Sequence, residues 1–145
     1  MIPDEAKGLV SVRSTVSFDE TIECLLIALE RRGMTIHARV DYAKEAIDVG
    51  VRLRPTQLFI FGYREVEASL ILRDQLLGVD LPQKILVWED ERGAVWISYN
   101  DPKWVGQRHG VPAGTCALLE AVAASLAGIA ADARAKIDRT MKLRS

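Results

Sequence analysis

The sequence predicts an α+β fold, a two-layer sandwich in which a mixed sheet carries helices mainly on one face. Runs with a two-residue apolar repeat alternate with runs of helical repeat, which is typical of helices packed on a sheet. Two of the later strands follow each other directly through a short turn, so the sheet is not purely parallel. From Thr115 onward, apolar side chains recur every three or four residues, which predicts a long C-terminal helix. The predicted order is βαβαβαββα.

The first helix is the best defined element of the N-terminal half. It begins with a capping box, in which the Ser17 hydroxyl binds the N3 amide and the Glu20 carboxylate reaches back. Gly33 follows the last apolar position, where a C-terminal cap is expected. The other elements predicted in this half are the strands 8–14, 34–40 and 57–63 and a short helix at 41–49.

The second half is predicted from a helix, a hairpin and the long last helix. The hairpin turn is Asp90–Gly93, which separates two alternating runs. Asn100, Asp101 and Pro102 then break the strand. The predicted ranges are a helix at 65–77, strands at 84–89 and 94–99, an irregular or short helical connection at 103–110, and the helix from Thr115.

Composition limits the classes of function. A chain of 145 residues is typical of one domain, so residues 1–145 are predicted to form a single domain. Nineteen basic and twenty acidic residues give a net charge of -1, which makes nucleic-acid binding the least favoured function. No uninterrupted apolar run reaches the ~18 residues of a membrane span, and the two cysteines match no metal or disulfide spacing. We expect a cytoplasmic protein without metal, cofactor, nucleic-acid or membrane partner.

Three segments together carry a resemblance to a known family. They are the run L-x-P-T-x-L-x-I-F-G at 53–62, the segment Asp80–Asp90, and the segment Gly93–Pro102 followed by Arg108 and His109. On these residues the chain resembles the domain of unknown function 302 family, over a core of about residues 8–110. Residues 111–145 are predicted to be a C-terminal helical extension. The resemblance implies a compact α+β domain that commonly pairs as a homodimer, and it implies no reaction.

The sequence departs from the family pattern at two places. Similar sequences tend to carry Asp-His where this chain has Asp41 and Tyr42, and Asn-Pro where it has Tyr63 and Arg64. If these positions line a shared pocket, the chemistry of that pocket is altered in this chain.

The densest polar cluster follows the hairpin and comprises Tyr99, Asn100, Asp101, Arg108 and His109. As an enzyme, the chain would use Asp101 and His109 as an acid–base pair, with Tyr99 and Asn100 as positioning groups. The structural alternative is favoured: Asn-Asp-Pro ends a strand, and Arg108 pairs with Asp101 to hold the loop.

Trp88 and Trp96 lie on adjacent hairpin strands, where they are expected to pack in the core, wall a ligand pocket or anchor a subunit interface. The favoured hypothesis is a homodimeric module that binds a small molecule or a protein partner. Its ligand residues would be Trp88, Trp96, Tyr99, Arg108 and His109, on one face with the loop 101–109.

Overall fold

The computed structural model describes residues 7–136 and has two layers, a five-stranded sheet and a layer of helices over one of its faces. The predicted α+β sandwich is therefore confirmed. The elements are β1 (Leu9–Arg13), α1 (Phe18–Arg31), β2 (Thr35–Asp41), α2 (Tyr42–Asp48), β3 (Thr56–Gly62), α3 (Arg64–Arg73), a 3-10 helix (Gln75–Val79), β4 (Gln83–Glu89), β5 (Val95–Asn100), α4 (Pro102–His109) and α5 (Ala113–Ala133).

The sheet has the order β1-β5-β4-β3-β2, and its four pairings are antiparallel. The prediction of a mixed sheet was wrong in this respect. A parallel neighbour requires a connection that carries the chain back along the whole strand. The helices α2 and α3 have seven and ten residues, so they rise about 10 and 15 Å. The seven-residue strands that precede them are longer, at about 23 Å. Neither helix is therefore long enough to carry the chain back along its strand, and the next strand pairs antiparallel.

The core lies between one face of the sheet and the helices α1 and α5. Alternate residues of β3, β4 and β5 point into it, and α1 packs against α5 above them. The fully buried side chains at its centre are Leu25 and Leu29 of α1, Phe59, Phe61, Ile85, Val87 and Ile97 of the sheet, and Leu126, Ile129, Ala130 and Ala133 of α5. The C-terminal helix is therefore part of the main core.

A second apolar cluster lies at one end of the molecule. It joins Leu70 of α3, Leu77 of the 3-10 helix, Leu81, Val105 of α4 and Leu119 of α5. The segment predicted as an irregular or short helical connection is the helix α4, which Asp101 caps by accepting a hydrogen bond from the Lys103 amide at 3.0 Å. The first half of α5 therefore packs against α4 and its second half against α1.

The helix predicted at 65–77 is divided in two at Asp74. The backbone of Asp74 is extended, and the Asp74 side chain accepts a hydrogen bond from the Leu76 amide at 3.0 Å. A side chain that caps a new helix competes with continuation of the old one, so α3 ends and a 3-10 helix begins.

Within residues 7–136, α5 is the one helix long and apolar enough, by length and composition, to cross a membrane. Its 21 residues include the charged residues Glu120 and Asp132. A helix that forms part of a core meets the same criteria, and α5 contributes four buried side chains to the core described above.

Candidate functional site

A cavity of about 180 Å³ lies between α3, α5 and the adjoining ends of β3 and β4. It occupies the place where the main core meets the second cluster, since Phe61 and Leu126 of the former and Leu70 and Leu81 of the latter all line it. The full lining is Met34, Phe61, Gly62, Tyr63, Val66, Glu67, Leu70, Leu81, Gln83, Leu118, Ala121, Val122, Ser125 and Leu126.

The helical repeat of the two flanking helices explains the apolar walls. Val66 and Leu70 are four residues apart on α3, so they share one face of that helix. On α5, Leu118, Val122 and Leu126 repeat at the same spacing and form the opposite wall. The same stripe of α5 carries Ala121 and Ser125, whose short side chains leave space between the helices.

Glu67 is the one carboxylate among the lining residues of the described chain. His37 Nε2 lies 3.3 and 3.2 Å from its two carboxylate oxygens, and the side chains of His37 and Glu67 are 31% and 19% exposed. An ionised carboxylate only accepts, so Nε2 is the donor. A bulge between Ile36 and Ala38 places His37 outside the regular pairing of β2 with β3.

Gly62 allows Glu67 to come close to the end of β3. A Cβ atom at position 62 would overlap the Glu67 carboxylate, so a larger residue would displace that side chain. The close approach, not backbone conformation, is what requires glycine here, since the positive-φ glycines are at other positions.

His109 and Arg108 do not contact Asp101; both bind Asp80. His109 Nε2 lies 2.6 Å from Asp80 Oδ2, and Arg108 Nη1 lies 3.0 Å from Oδ1. The His109 and Asp80 side chains are only 12% and 13% exposed. The cluster fastens the C-terminus of α4 to the end of the 3-10 helix and thereby closes the second apolar cluster.

The predicted acid–base pair of Asp101 and His109 is not formed. The two residues lie at opposite ends of α4, whose eight residues rise about 12 Å. Asn100 ends β5 opposite Leu9. Tyr99 lies in the main core and is 7% exposed. Burial raises the pKa of its phenol, and the charge of Asp101 raises it further. These residues therefore do not converge on one cavity.

Trp88 and Trp96 lie on the sheet face opposite the main core, since their chain neighbours Val87 and Ile97 point into that core. Their rings stack with centroids 6.3 Å apart, and they pair across β4 and β5. Trp88 Nε1 donates to Ser98 Oγ at 2.8 Å, and Trp96 Nε1 donates to Asp90 Oδ2 at 2.9 Å. The Trp96 hydrogen bond holds the pKa of Asp90 below its usual range. Tyr99 points to the opposite face, so the residues predicted to bind a ligand do not all lie on one surface.

The two departures from the family pattern do not share a pocket. Tyr63 lines the cavity beyond the end of β3, whereas Tyr42 follows Asp41, which pairs with Gln57 at the start of β3. Of the two departures, the one at Tyr63 therefore changes the lining of the cavity.

The cavity and the Asp80 cluster are the features that sequence reasoning missed. The apolar repeats of α3 and α5 and the glycine at position 62 are visible in the sequence. Their meeting at one place depends on tertiary contacts between segments some sixty residues apart. Within residues 7–136, no group of three or more His, Cys, Asp or Glu side chains is placed to hold a metal ion.

Comparison with known proteins gives relatives of two kinds. Fluoride-specific ion channels FluC 1 of Brucella suis and Brucella abortus are 42% identical over 102 residues, which is 70% of this chain and 40% or 38% of theirs. The chain thus spans about two fifths of the length of those curated relatives. The crystal structure of an uncharacterized conserved DUF302 protein from Bacillus stearothermophilus superposes with a TM-score of 0.80 at 19% identity, covering 88% of this chain and 98% of that one.

The model of the family "Domain of unknown function DUF302" matches residues 10–142. The match extends past residue 110 through α5, which the structure places in the main core. The neighbour of known structure supports the same fold. The resemblance predicted from the three sequence segments is confirmed: the chain belongs to the DUF302 family.

Proposed function

We propose that this protein is a cytoplasmic, homodimeric binding module that holds a small, mainly apolar molecule in the cavity between α3 and α5. The supporting observation is a cavity of about 180 Å³ whose walls are mostly aliphatic and aromatic side chains. A cavity of about 150 Å³ with such walls accepts benzene, so the space suits a molecule of roughly six to ten heavy atoms. Its position at the junction of two apolar clusters makes occupancy a stabilising event for both.

Native mass spectrometry of gently purified protein, compared with the denatured mass, tests the proposal. We expect a reproducible added mass, or, for protein that has lost its ligand, a thermal shift with millimolar benzene or indole. The variant Ala121→Phe places a large ring at the exposed lining position of α5 and should abolish the shift. Ala124→Phe, on an exposed position outside the lining, should preserve it. Equal shifts in the two variants would contradict the proposal.

Homodimer formation is proposed through the open face of the sheet. This face lies opposite the main core and carries half-buried apolar side chains on three adjacent strands: Leu58, Ile60, Leu86, Trp88 and Trp96. Aromatic side chains and a low density of charge are typical of subunit interfaces. The same face is the candidate for a protein partner.

A second candidate function is suggested by the Brucella relatives, which are named as fluoride channels. A domain that occurs in one polypeptide as part of a channel is a candidate accessory domain of such channels. In that role the chain would report the presence of its small ligand to a channel.

The accessory role is testable in the Brucella suis protein. The 102-residue segment that matches this chain would be deleted, or exchanged for the corresponding residues of this chain, in a fluoride-sensitive bacterial strain. We expect deletion to change fluoride tolerance and the exchange to restore it. Unchanged tolerance after deletion, at equal channel levels, would refute the accessory role and leave the binding module untouched.

A further inference from the structure

Glu67 gives the cavity a charge preference, and this inference rests on the proposed ligand-binding function. We propose that the cavity selects a small apolar amine, a molecule with an aromatic or branched aliphatic body and one ammonium group directed at the Glu67 carboxylate.

The charges along the lining support this ligand class. Among the described lining residues Glu67 is an acid, while lysine and arginine do not occur. A carboxylate next to apolar walls attracts a cation more strongly than it does in open water, because the local dielectric constant is lower. An anionic ligand would meet repulsion from Glu67 and would find no lysine or arginine among the described lining residues.

The aromatic residues of the lining fit the same ligand. Phe61 and Tyr63 lie at the end of β3 and just beyond it, one residue on either side of Gly62, which the Glu67 side chain approaches closely. Aromatic faces attract ammonium groups and also pack well against an aromatic body. The attraction of the ammonium group favours a cationic ligand over a neutral one of equal size, and the packing favours an aromatic body.

The carboxylate is held in place before any ligand arrives. His37 donates to it from the bulge of β2, and Gly62 leaves space for it beside β3. A carboxylate offers about four acceptor sites, so the His37 bond leaves capacity for a ligand ammonium. His37 and Gly62 are thus positioning residues for Glu67.

The test compares three probes of one shape: benzylamine, benzyl alcohol and benzoate, titrated at neutral pH and followed by amide chemical shifts. We expect benzylamine to bind about tenfold more tightly than benzyl alcohol, since both can donate a hydrogen bond to the Glu67 carboxylate but only the ammonium adds the attraction of opposite charges. Benzoate should bind most weakly. The shifts should map to α3, α5 and the end of β3.

The variant Glu67→Gln should remove the preference for benzylamine while benzyl alcohol still binds, which also reports that the cavity is intact. Glu65→Gln, an exposed position of the same helix outside the lining, should keep the preference. Equal affinities of wild-type protein for benzylamine and benzyl alcohol, or a preference that survives Glu67→Gln, would overturn the amine assignment alone. Absence of binding by all three probes would overturn the proposed cavity function together with it.

Discussion

Single residues determine how the ends of the helices are held. Asp80 is the acceptor for both Arg108 and His109, so three side chains join two segments that are far apart in sequence. The pair of His109 and Asp80 is mostly shielded from water. Such a pair is costly to break, because the partner that remains is still buried and has lost its hydrogen bond.

We expect Asp80→Asn to lower the free energy of unfolding by about 1–3 kcal/mol, since the amide leaves His109 and Arg108 without a carboxylate. Urea unfolding followed by circular dichroism measures the change. The matched control is Asp132→Asn, which breaks the more exposed ion pair with Arg32 and should cost less than about 1 kcal/mol. Equal losses in the two variants would show that the Asp80 cluster contributes no more to the free energy of unfolding than an exposed ion pair does.

Gly62→Ala is predicted to destabilise the protein by about 0.5–1.5 kcal/mol, because the new methyl group moves the end of the Glu67 side chain out of its hydrogen bond with His37. Gly78→Ala is the control: its nearest neighbour would be Ile71 Cδ1 at 3.4 Å, close to ordinary contact. That substitution should leave stability unchanged or raise it by up to about 1 kcal/mol. Thermal unfolding compares the two variants, and a Gly62→Ala variant as stable as Gly78→Ala would show that Glu67 moves without cost.

We predict that the buried phenol of Tyr99 causes a loss of stability at alkaline pH. Burial raises the pKa of its phenol above 10.0 in the folded state, so the native protein keeps a proton that the unfolded chain releases. The stability from this group is complete below about pH 10 and declines as the pH rises through the higher folded value.

Urea unfolding at about pH 9 and about pH 11 measures that decline. Tyr99→Phe should lose less stability between the two pH values than the wild type does, and Tyr42→Phe, at an exposed site, should behave as the wild type. An alkaline loss in Tyr99→Phe as large as that of the wild type would exclude Tyr99 as its source.

Among the elements, α5 combines two kinds of alanine. Ala130 and Ala133 are fully buried where α5 meets the rest of the core, whereas Ala124, Ala127 and Ala131 are exposed. The small buried side chains allow the helices to pack closely, and the exposed ones are explained by helix propensity.

Ala130→Leu should destabilise the protein by about 1–3 kcal/mol, because the larger side chain has no space in the packed core. Ala131→Leu, one residue further along the helix and exposed, should stay within about 0.5 kcal/mol. Denaturant midpoints of the two variants compare them directly. An Ala130→Leu variant as stable as the wild type would mean that α5 does not pack tightly against the core.

For the whole molecule, the open face of the sheet sets the expected strength of self-association. Five strands about 4.8 Å apart and about 20 Å long give roughly 500 Å² of projected area, so the accessible surface of this face is no larger than the ~800 Å² per partner of a standard interface. We therefore predict a dimer whose population rises with protein concentration over the micromolar range.

Light scattering after size-exclusion chromatography tests this dimer. Leu86→Lys places a charge at the centre of the open face and should give a monomer with an unchanged circular dichroism spectrum. Glu91→Lys, in the exposed hairpin turn, is the control and should dimerise as the wild type does. A wild-type protein that stays monomeric at the highest attainable concentration would exclude the proposed interface.

Local sequence patterns were sufficient to predict the main elements and the family. The alternation of Val10 and Val12, the cap at Ser17 and the hairpin turn at Asp90–Gly93 are local signals, and each describes an element that the structure contains. Local signals suffice there because hydrogen bonding and side-chain direction repeat over a few residues.

The strand directions, the partners of the charged residues and the cavity depend on tertiary packing. Asp101 and His109 are close in sequence yet separated by a helix, while Asp80 meets His109 across 29 residues of chain. The cavity arises where α3 and α5 leave a gap beside Phe61. Such contacts depend on how whole elements pack, and packing is set by the shapes of many side chains together, which no local pattern records.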